Sequence, residues 1–283
     1  MELLQLMYFC HAAKNENFSK TAKEFNVPAS NISQSIHRLE KELQVQLFDR
    51  SANKIKLNHR GELFFENINT AFSFIAKAKD AVKDTDKISG EIRLLVETNR
   101  RIVTKAVELF SKKHKSVSFF INNSHDENVD NYDIIITDRI IQGKSFKSVP
   151  LVAENFLLAA KKDYPLPKSD GLSVQDLANE RFVTMDNDSG MYKVTNEICS
   201  RAGFSPNIVI HSDDPFYVRK YIEMGLGIAF VPAVSWEGMF SDYIILKKIT
   251  DYTRYTNAFY NSGVYLSRAV KEFLNTLTDV ANN

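Results

Sequence analysis

Two cysteines, one tryptophan, seven prolines and ten glycines in 283 residues leave several protein classes without support. Cys10 and Cys199 stand alone on helix-patterned stretches, so the chain offers neither a disulfide framework nor a Cys/His zinc cluster, and both thiols read as ordinary packing residues. There is no glycine-rich phosphate loop, no nucleophile elbow and no His-rich metal spacing, and the six histidines are scattered as surface or capping residues. Catalytic residues, metal ligands and cofactors are therefore not expected, even though α/β domains often carry catalysis. No stretch reaches about 18 uninterrupted apolar residues, and the opening MELLQLMYFCHAAKNENFSK lacks a basic n-region and is soon broken by His11, Lys14 and Glu16. No membrane partner is expected; the expected location is the cytoplasm, and an exported solute-binding protein is disfavoured.

What is present is enough apolar sequence, 44%, to bury real cores, and a charge of +1 that means little until its distribution is read. Between Ser19 and Gly61 eight bases face four acids, so this segment is locally basic. Leu3, Leu6, Met7, Phe9 and Cys10 recur with helical spacing; residues 18–25 and 29–43 give two further helices joined by a three-residue turn at Asn26-Val27-Pro28. On the third helix Ile32, Ile36, Leu39 and Leu43 form one stripe, with Ser30, Gln34, His37, Arg38 and Lys41 opposite. LFDRSANKIKLNHRG then reads as a hairpin tipped with Lys54 and Lys56. Three helices and a basic hairpin make a winged helix-turn-helix, whose outward face suits the major groove.

Asn58 is a good N-cap for a long helix running to about residue 85. Phe64, Ile68, Ala71, Ile75, Ala78 and Val82 are spaced 4-3-4-3-4, a 3.5-residue seam that wants a partner helix. KDTDKISGE, residues 83–91, reads as a linker, and from Ile92 onward strands and helices alternate, which implies an α/β domain with mainly parallel strands. The strands expected are 92–96, 117–121, 133–137, 156–161, 182–185, 208–211 and 228–231, with helices at 102–114, 191–202 and 216–224.

The pattern Phe9, Phe18-Ser19, Ala22, Ser30, Ile32-Ser33, Ile36, Leu39-Glu40, Leu43, Leu47-Phe48, Arg50, Leu57 and Gly61 resembles the LysR-type transcriptional regulators. A looser likeness continues through GEIRLLV at Gly90, LSVQDL at Leu172 and YIEMGLGIAFVP from Tyr221. The resemblance implies an α+β multidomain chain: a winged helix-turn-helix over 1–57, a long linker and dimerisation helix over 58–88, and a two-lobed α/β effector-binding domain over 89–283, similar to type 2 periplasmic binding proteins. The first lobe would take about 89–160 and 263–283, the second about 161–262. Departures are Pro28-Ala29 for the usual Ser-Gln, Gln34 where an arginine is common, Asn58 for a threonine cap, and a shortened stretch between Val117 and Asp133. Cys199 has no cysteine near it, against a peroxide-sensing disulfide.

Candidate DNA-binding residues are Ala29, Ser30, Asn31, Ser33, Gln34, His37 and Arg38, because hydroxyls, amides and a guanidinium read base edges, and Arg50, Lys54 and Lys56, which would neutralise phosphates. Candidate effector-binding residues lie where strands end: Thr98, Asn99, Asp138, Asp186, Asn187, Ser189, Ser212 and Asp213. Asp186, Asp188 and Asp213 would repel a dianion unless Arg100, Arg101 or Arg139 points inward, so a small neutral or amine-bearing ligand is expected. The implied partners are double-stranded DNA with an interrupted inverted repeat, a small-molecule effector, a second copy of the chain in a homodimer or homotetramer, and RNA polymerase for an activator on the nucleoid. The alternative is a ligand-independent regulator with a vestigial cleft.

Overall fold

The computed structural model describes residues 1–51, 54–83, 88–143, 145–167 and 171–282, with backbone alone at 51, 77, 80, 81 and 83. The hairpin tip at 52–53 and part of the expected linker, 84–87, lie outside the described residues. The chain divides into two compact units, Met1–Lys83 and Asp84–Asn283.

In the first unit α1 (Leu3–Asn15), α2 (Phe18–Glu24) and α3 (Ala29–Leu43) surround a core of Phe9, Cys10, Ala22, Ile32, Ile36 and Leu39. Asn17 caps α2 by accepting from the Lys20 N–H. The turn into α3 closes at Asn26, left-handed at φ 52°, with the Val27 N–H bonded back to the Ala22 carbonyl; Asn tolerates that conformation, and Pro28 at φ −60° then sets the entry to α3. The wing is the antiparallel pair β1 (Phe48–Ser51) and β2 (Lys54–Leu57), with Phe48 buried edge-on against Phe9 and Phe18.

Asn58 caps α4 (His59–Lys83) through the Gly61 N–H at 2.9 Å. Along α4, Phe64, Phe65, Ile68 and Phe72 pack on the winged-helix core, whereas Phe74, Ile75 and Val82 are exposed. The first third of the expected seam is thus occupied within its own unit.

The second unit is built on a seven-stranded sheet ordered β10-β6-β11-β5-β3-β4, with β9 also on β6, plus the parallel pair β7-β8. These strands are β3 (Gly90–Val96), β4 (Val117–Asn122), β5 (Ile134–Thr137), β6 (Phe146–Lys161), β7 (Arg181–Met185), β8 (Asn207–Ser212), β9 (Ala229–Pro232), β10 (Ile244–Lys247) and β11 (Thr253–Asn261). The helices are α5 (Arg100–Lys113), α6 (Gly190–Arg201), α7 (Pro215–Glu223) and α8 (Arg268–Asn282). Among the described residues only β4-β3-β5 and β7-β8 are parallel runs; β6 pairs antiparallel with β9, β10 and β11, so the sheet is mixed rather than mainly parallel. A short 3₁₀ turn, Val129–Asn131, is the only helix between β4 and β5 among the described residues, as the shortened sequence there requires.

Two large cores separate the unit into lobes, with a smaller cluster of Leu95, Tyr132, Ile135 and Ile141 besides. The first gathers Ile92, Leu94, Val103, Phe110, Ile134 and Phe273 under α5 and α8. The second gathers Phe156, Phe182, Ile198, Val218, Ile222 and Phe230 under α6 and α7. Strand β6 feeds both, with Leu151 in the first core and Phe156 in the second, whereas β11 gives Ala258 to the first and is preceded by Tyr252, which packs against the second. A register shift between Thr256 and Asn257, opposite Val152 and Pro150, marks the crossing, and proline is tolerated at such a bulge.

Candidate nucleic-acid interface and interlobe site

On α3 the apolar stripe is fully used, with Ile32, Ile36 and Leu39 at 0% exposure, which turns the opposite stripe outward. Ala29, Ser30, Asn31, Gln34, His37 and Arg38 are exposed and Ser33 half-buried. Pro28 supplies no side-chain cap, so the first-turn N–H groups of α3 have no side-chain acceptor from that position. Ser33, Gln34, His37, Arg38 and Arg50 line one hollow of about 370 Å³. Lys54 and Lys56 sit exposed on β2, with Lys56 opposite Asp49. The expected DNA residues therefore fall on α3 and the wing of one unit, hydroxyls and amides beside guanidinium groups.

Arg50 has a second partner that sequence reasoning missed. Its Nη2 donates to Glu40 Oε2 at 2.7 Å, while Glu40 Oε1 accepts from the Leu47 and Phe48 N–H groups at 2.9 and 3.3 Å. Glu40 is 6% exposed and Arg50 42%, so a buried carboxylate anchors one side of a guanidinium that stays open on the other. The signal was available: Glu40 lies among Ile36, Leu39 and Leu43 on the apolar stripe, where a charge has to be paired.

In the second unit the expected effector residues separate into three groups. Asp186, Asn187 and Asp213 are exposed on loops. Ser189 and Ser212 are engaged at turns: Ser189 caps α6 by accepting from the Tyr192 N–H, and Ser212 Oγ accepts from the Asp214 N–H at 3.3 Å. Asp214, outside the expected set, is the residue that caps α7. Thr98 and Asn99 are buried, at 7% and 3% exposure. In place of a free donor and acceptor, the Asn99 amide donates to Glu154 Oε1 at 3.2 Å and Thr256 Oγ1 at 2.6 Å and accepts from Ser235 Oγ at 2.7 Å. Asp138 is partly buried, 3.7 Å from Arg254 Nη1.

None of the three arginines weighed as anion receptors is held out for a ligand. Arg139 forks onto Glu97 at 2.8 and 3.0 Å, Arg101 binds Glu237 at 2.8 Å, and Arg100 donates to the Asn123 carbonyl. Burial pulls the Arg100 pKa down and Asp214 opposes that shift. Burial raises the Glu97 carboxyl, but Arg139, Thr137 and His125 outweigh it and hold the group below its ordinary value. Glu154 follows the same logic with Arg254 and Ser235. Burial pushes the Cys10 and Cys199 thiols up to about 11 and about 12, so neither is a poised thiolate.

Residues 3–62 match the family described as bacterial regulatory helix-turn-helix protein, lysR family, and residues 85–282 match the LysR substrate binding domain. Among relatives, the chain is 28% identical to the HTH-type transcriptional regulator AlsR of Bacillus subtilis, over 82% of this chain and 81% of that one. It is 27% identical to the transcriptional dual regulator GltC of the same species, over 82% and 81%. Among solved structures, CbnR, a LysR family transcriptional regulator, superposes with a TM-score of 0.73 at 17% identity over 100% of both chains. A full-length OxyR variant from Pseudomonas aeruginosa gives 0.71 at 15% identity, over 100% of this chain and 95% of that one. Two family matches that together span the helix-turn-helix and the two-lobed unit fix the assignment: the chain belongs to the LysR family of bacterial helix-turn-helix regulatory proteins.

Proposed function

We propose that this transcriptional regulator reads DNA through Ser30, Asn31, Ser33, Gln34, His37 and Arg38 of α3, with Ala29 at the point of closest approach and Arg50, Lys54 and Lys56 of the wing on flanking phosphates. The observation that carries the reading is the shared hollow of Ser33, Gln34, His37, Arg38 and Arg50, which mixes neutral hydrogen-bonding groups with fixed cations. The functional division is 1–57 for DNA binding, 58–88 for pairing of protomers and 89–283 for sensing. Two heads joined by the linker helices engage the halves of an interrupted inverted repeat. The protein works by binding rather than catalysis, in the cytoplasm on nucleoid DNA, with RNA polymerase as a further partner where it activates. CbnR has been solved with its target DNA, which supports the same use of the fold.

The test selects bound duplexes from a random pool with the full chain, then compares selected and random duplexes at fixed salt for wild type and the Gln34→Ala/Arg38→Ala variant. Each lost bidentate base contact should remove about 1–3 kcal/mol of discrimination. A double variant that folds and still discriminates as wild type does would remove α3 as the reading face.

A further inference from the structure

Glu154 lies on β6 directly opposite Arg254 on β11, at the crossing of the two lobes, and is 1% exposed. Its Oε1 accepts from Asn99 Nδ2 of the first lobe and from Arg254 Nε, both at 3.2 Å, and lies 2.8 Å from Ser235 Oγ, whose single proton it shares with Asn99 Oδ1. Its Oε2 accepts from the backbone N–H groups of Val234 and Ser235 in the second lobe, at 3.2 and 2.8 Å. Donors from the first lobe, the second lobe and a crossing strand thus converge on one carboxylate, the set an anionic ligand bound between lobes would need. Arg101 of α5 spans the same junction to the Val234 carbonyl at 3.2 Å and to Glu237. A second carboxylate crosses nearby: a β-carbon added at Gly190, the first residue of α6, would stand 2.7 Å from Asp138 Oδ2.

We infer that Glu154 is a built-in anion of the interlobe cleft, holding the lobes together without an effector and taking the place a ligand carboxylate would occupy. The inference deepens the regulator reading and rests on it only in treating the second unit as a two-lobed sensor. Two consequences follow for the ligand class. Small carboxylates are excluded from the junction, and a molecule that acts there does so by loosening the bridge rather than by closing it.

The experiment follows hydrogen exchange at the Val234 and Ser235 amides of the ligand-free full chain, with acetate as the probe. Acetate matches the atoms lost in Glu154→Ala. Wild type should protect both amides and ignore acetate. Glu154→Ala should raise their exchange about tenfold or more, and millimolar acetate, unlike chloride at equal ionic strength, should restore protection along a saturable curve. Ser235→Ala, which removes one donor and leaves the backbone, should speed exchange at Val234 several-fold and decides the matter where Glu154→Ala does not fold. Unprotected amides in wild type, saturable acetate protection of wild type, no acetate effect on a folded Glu154→Ala, or Val234 exchange unchanged in Ser235→Ala would each overturn the inference. DNA binding, measured on the same samples, reports separately on the regulator reading: its absence in wild type would sink that reading and leave the exchange result intact.

Discussion

Gly61 lets α4 pack tightly on the wing's lead-in: a β-carbon there would stand 2.2 Å from the Leu47 carbonyl oxygen and 2.7 Å from Leu57 Cδ1. Helix propensity alone would favour alanine by about 1 kcal/mol, but the clash is with backbone, and overpacking of this kind costs about 1–3 kcal/mol or more. Gly61→Ala is therefore expected to lower the melting temperature of the winged-helix unit, and an unchanged or higher melting point would show that Leu47 yields freely. Arg50 makes a second expectation at this scale. Because its guanidinium is anchored on Glu40 and open beside Gln34 and Arg38, Arg50→Ala should weaken binding to all duplexes alike and reduce the salt slope by about one unit. A slope equal to wild type, from affinities measured over a salt series, would take Arg50 off the phosphates. Glu40 could be recognised in the sequence as a charge on an apolar stripe. Glu154 could not, because VPLVAEN carries a proline and polar residues that broke the strand signal before Phe156, and its partner Arg254 lies about a hundred residues away on a segment rich in Thr, Tyr and Asn.

At the scale of elements, the winged helix-turn-helix was legible because its helices are amphipathic, short and separated by a turn with clear chemistry: α3 spans Ala29–Leu43, the residues its periodicity marks. The antiparallel strands were less so. β11, TRYTNAFYN, alternates in burial from Thr253 to Ala258, but two of its three buried positions are Arg254 and Thr256, so no alternation of apolar and polar residues appears in the sequence. The linker helix was legible in period but not in how its positions are used. Phe64 and Ile68 serve their own core, while Ile75 is 37% and Val82 85% exposed, leaving these two positions open to a second protomer. Ile75→Asp with Val82→Asp should therefore weaken self-association by several kcal/mol, since a seam would bury both charges, with the melting of the winged-helix unit unchanged. Ile68→Asp should instead destabilise that unit directly. Sedimentation of the full chain separates the cases: association unaltered by the first pair would mean protomers meet elsewhere.

For the whole molecule, the near-neutral total charge conceals carboxylates whose stability contribution depends on acid strength. Glu97, held by Arg139, Thr137 and His125, and Glu154, held by Arg254, Asn99 and Ser235, both titrate below the ordinary glutamate value of about 4.3 although burial opposes it. A folded-state pKa lower than the unfolded one contributes stability that is complete above the unfolded value and lost as pH falls through the folded one. Neither pair should therefore make stability vary between about pH 7 and pH 5, and both should erode it below about pH 4. Because each carboxylate has donors from separate segments, Glu97 binding together β3, β5 and the loop at His125 and Glu154 joining the two lobes, acid should loosen the second unit more than the DNA-binding unit. The check is urea denaturation of the full chain from pH 7 to pH 3, followed by hydrogen exchange in each unit, for wild type and Glu97→Gln. The variant is expected to start less stable at pH 7, because Arg139 loses its ionised partner, and to lose less on acidification. Parallel acid profiles for the two proteins would show that Glu97 carries no proton-linked stability, and exchange that rises first in the winged-helix unit would place the acid-labile part of the molecule outside the two lobes.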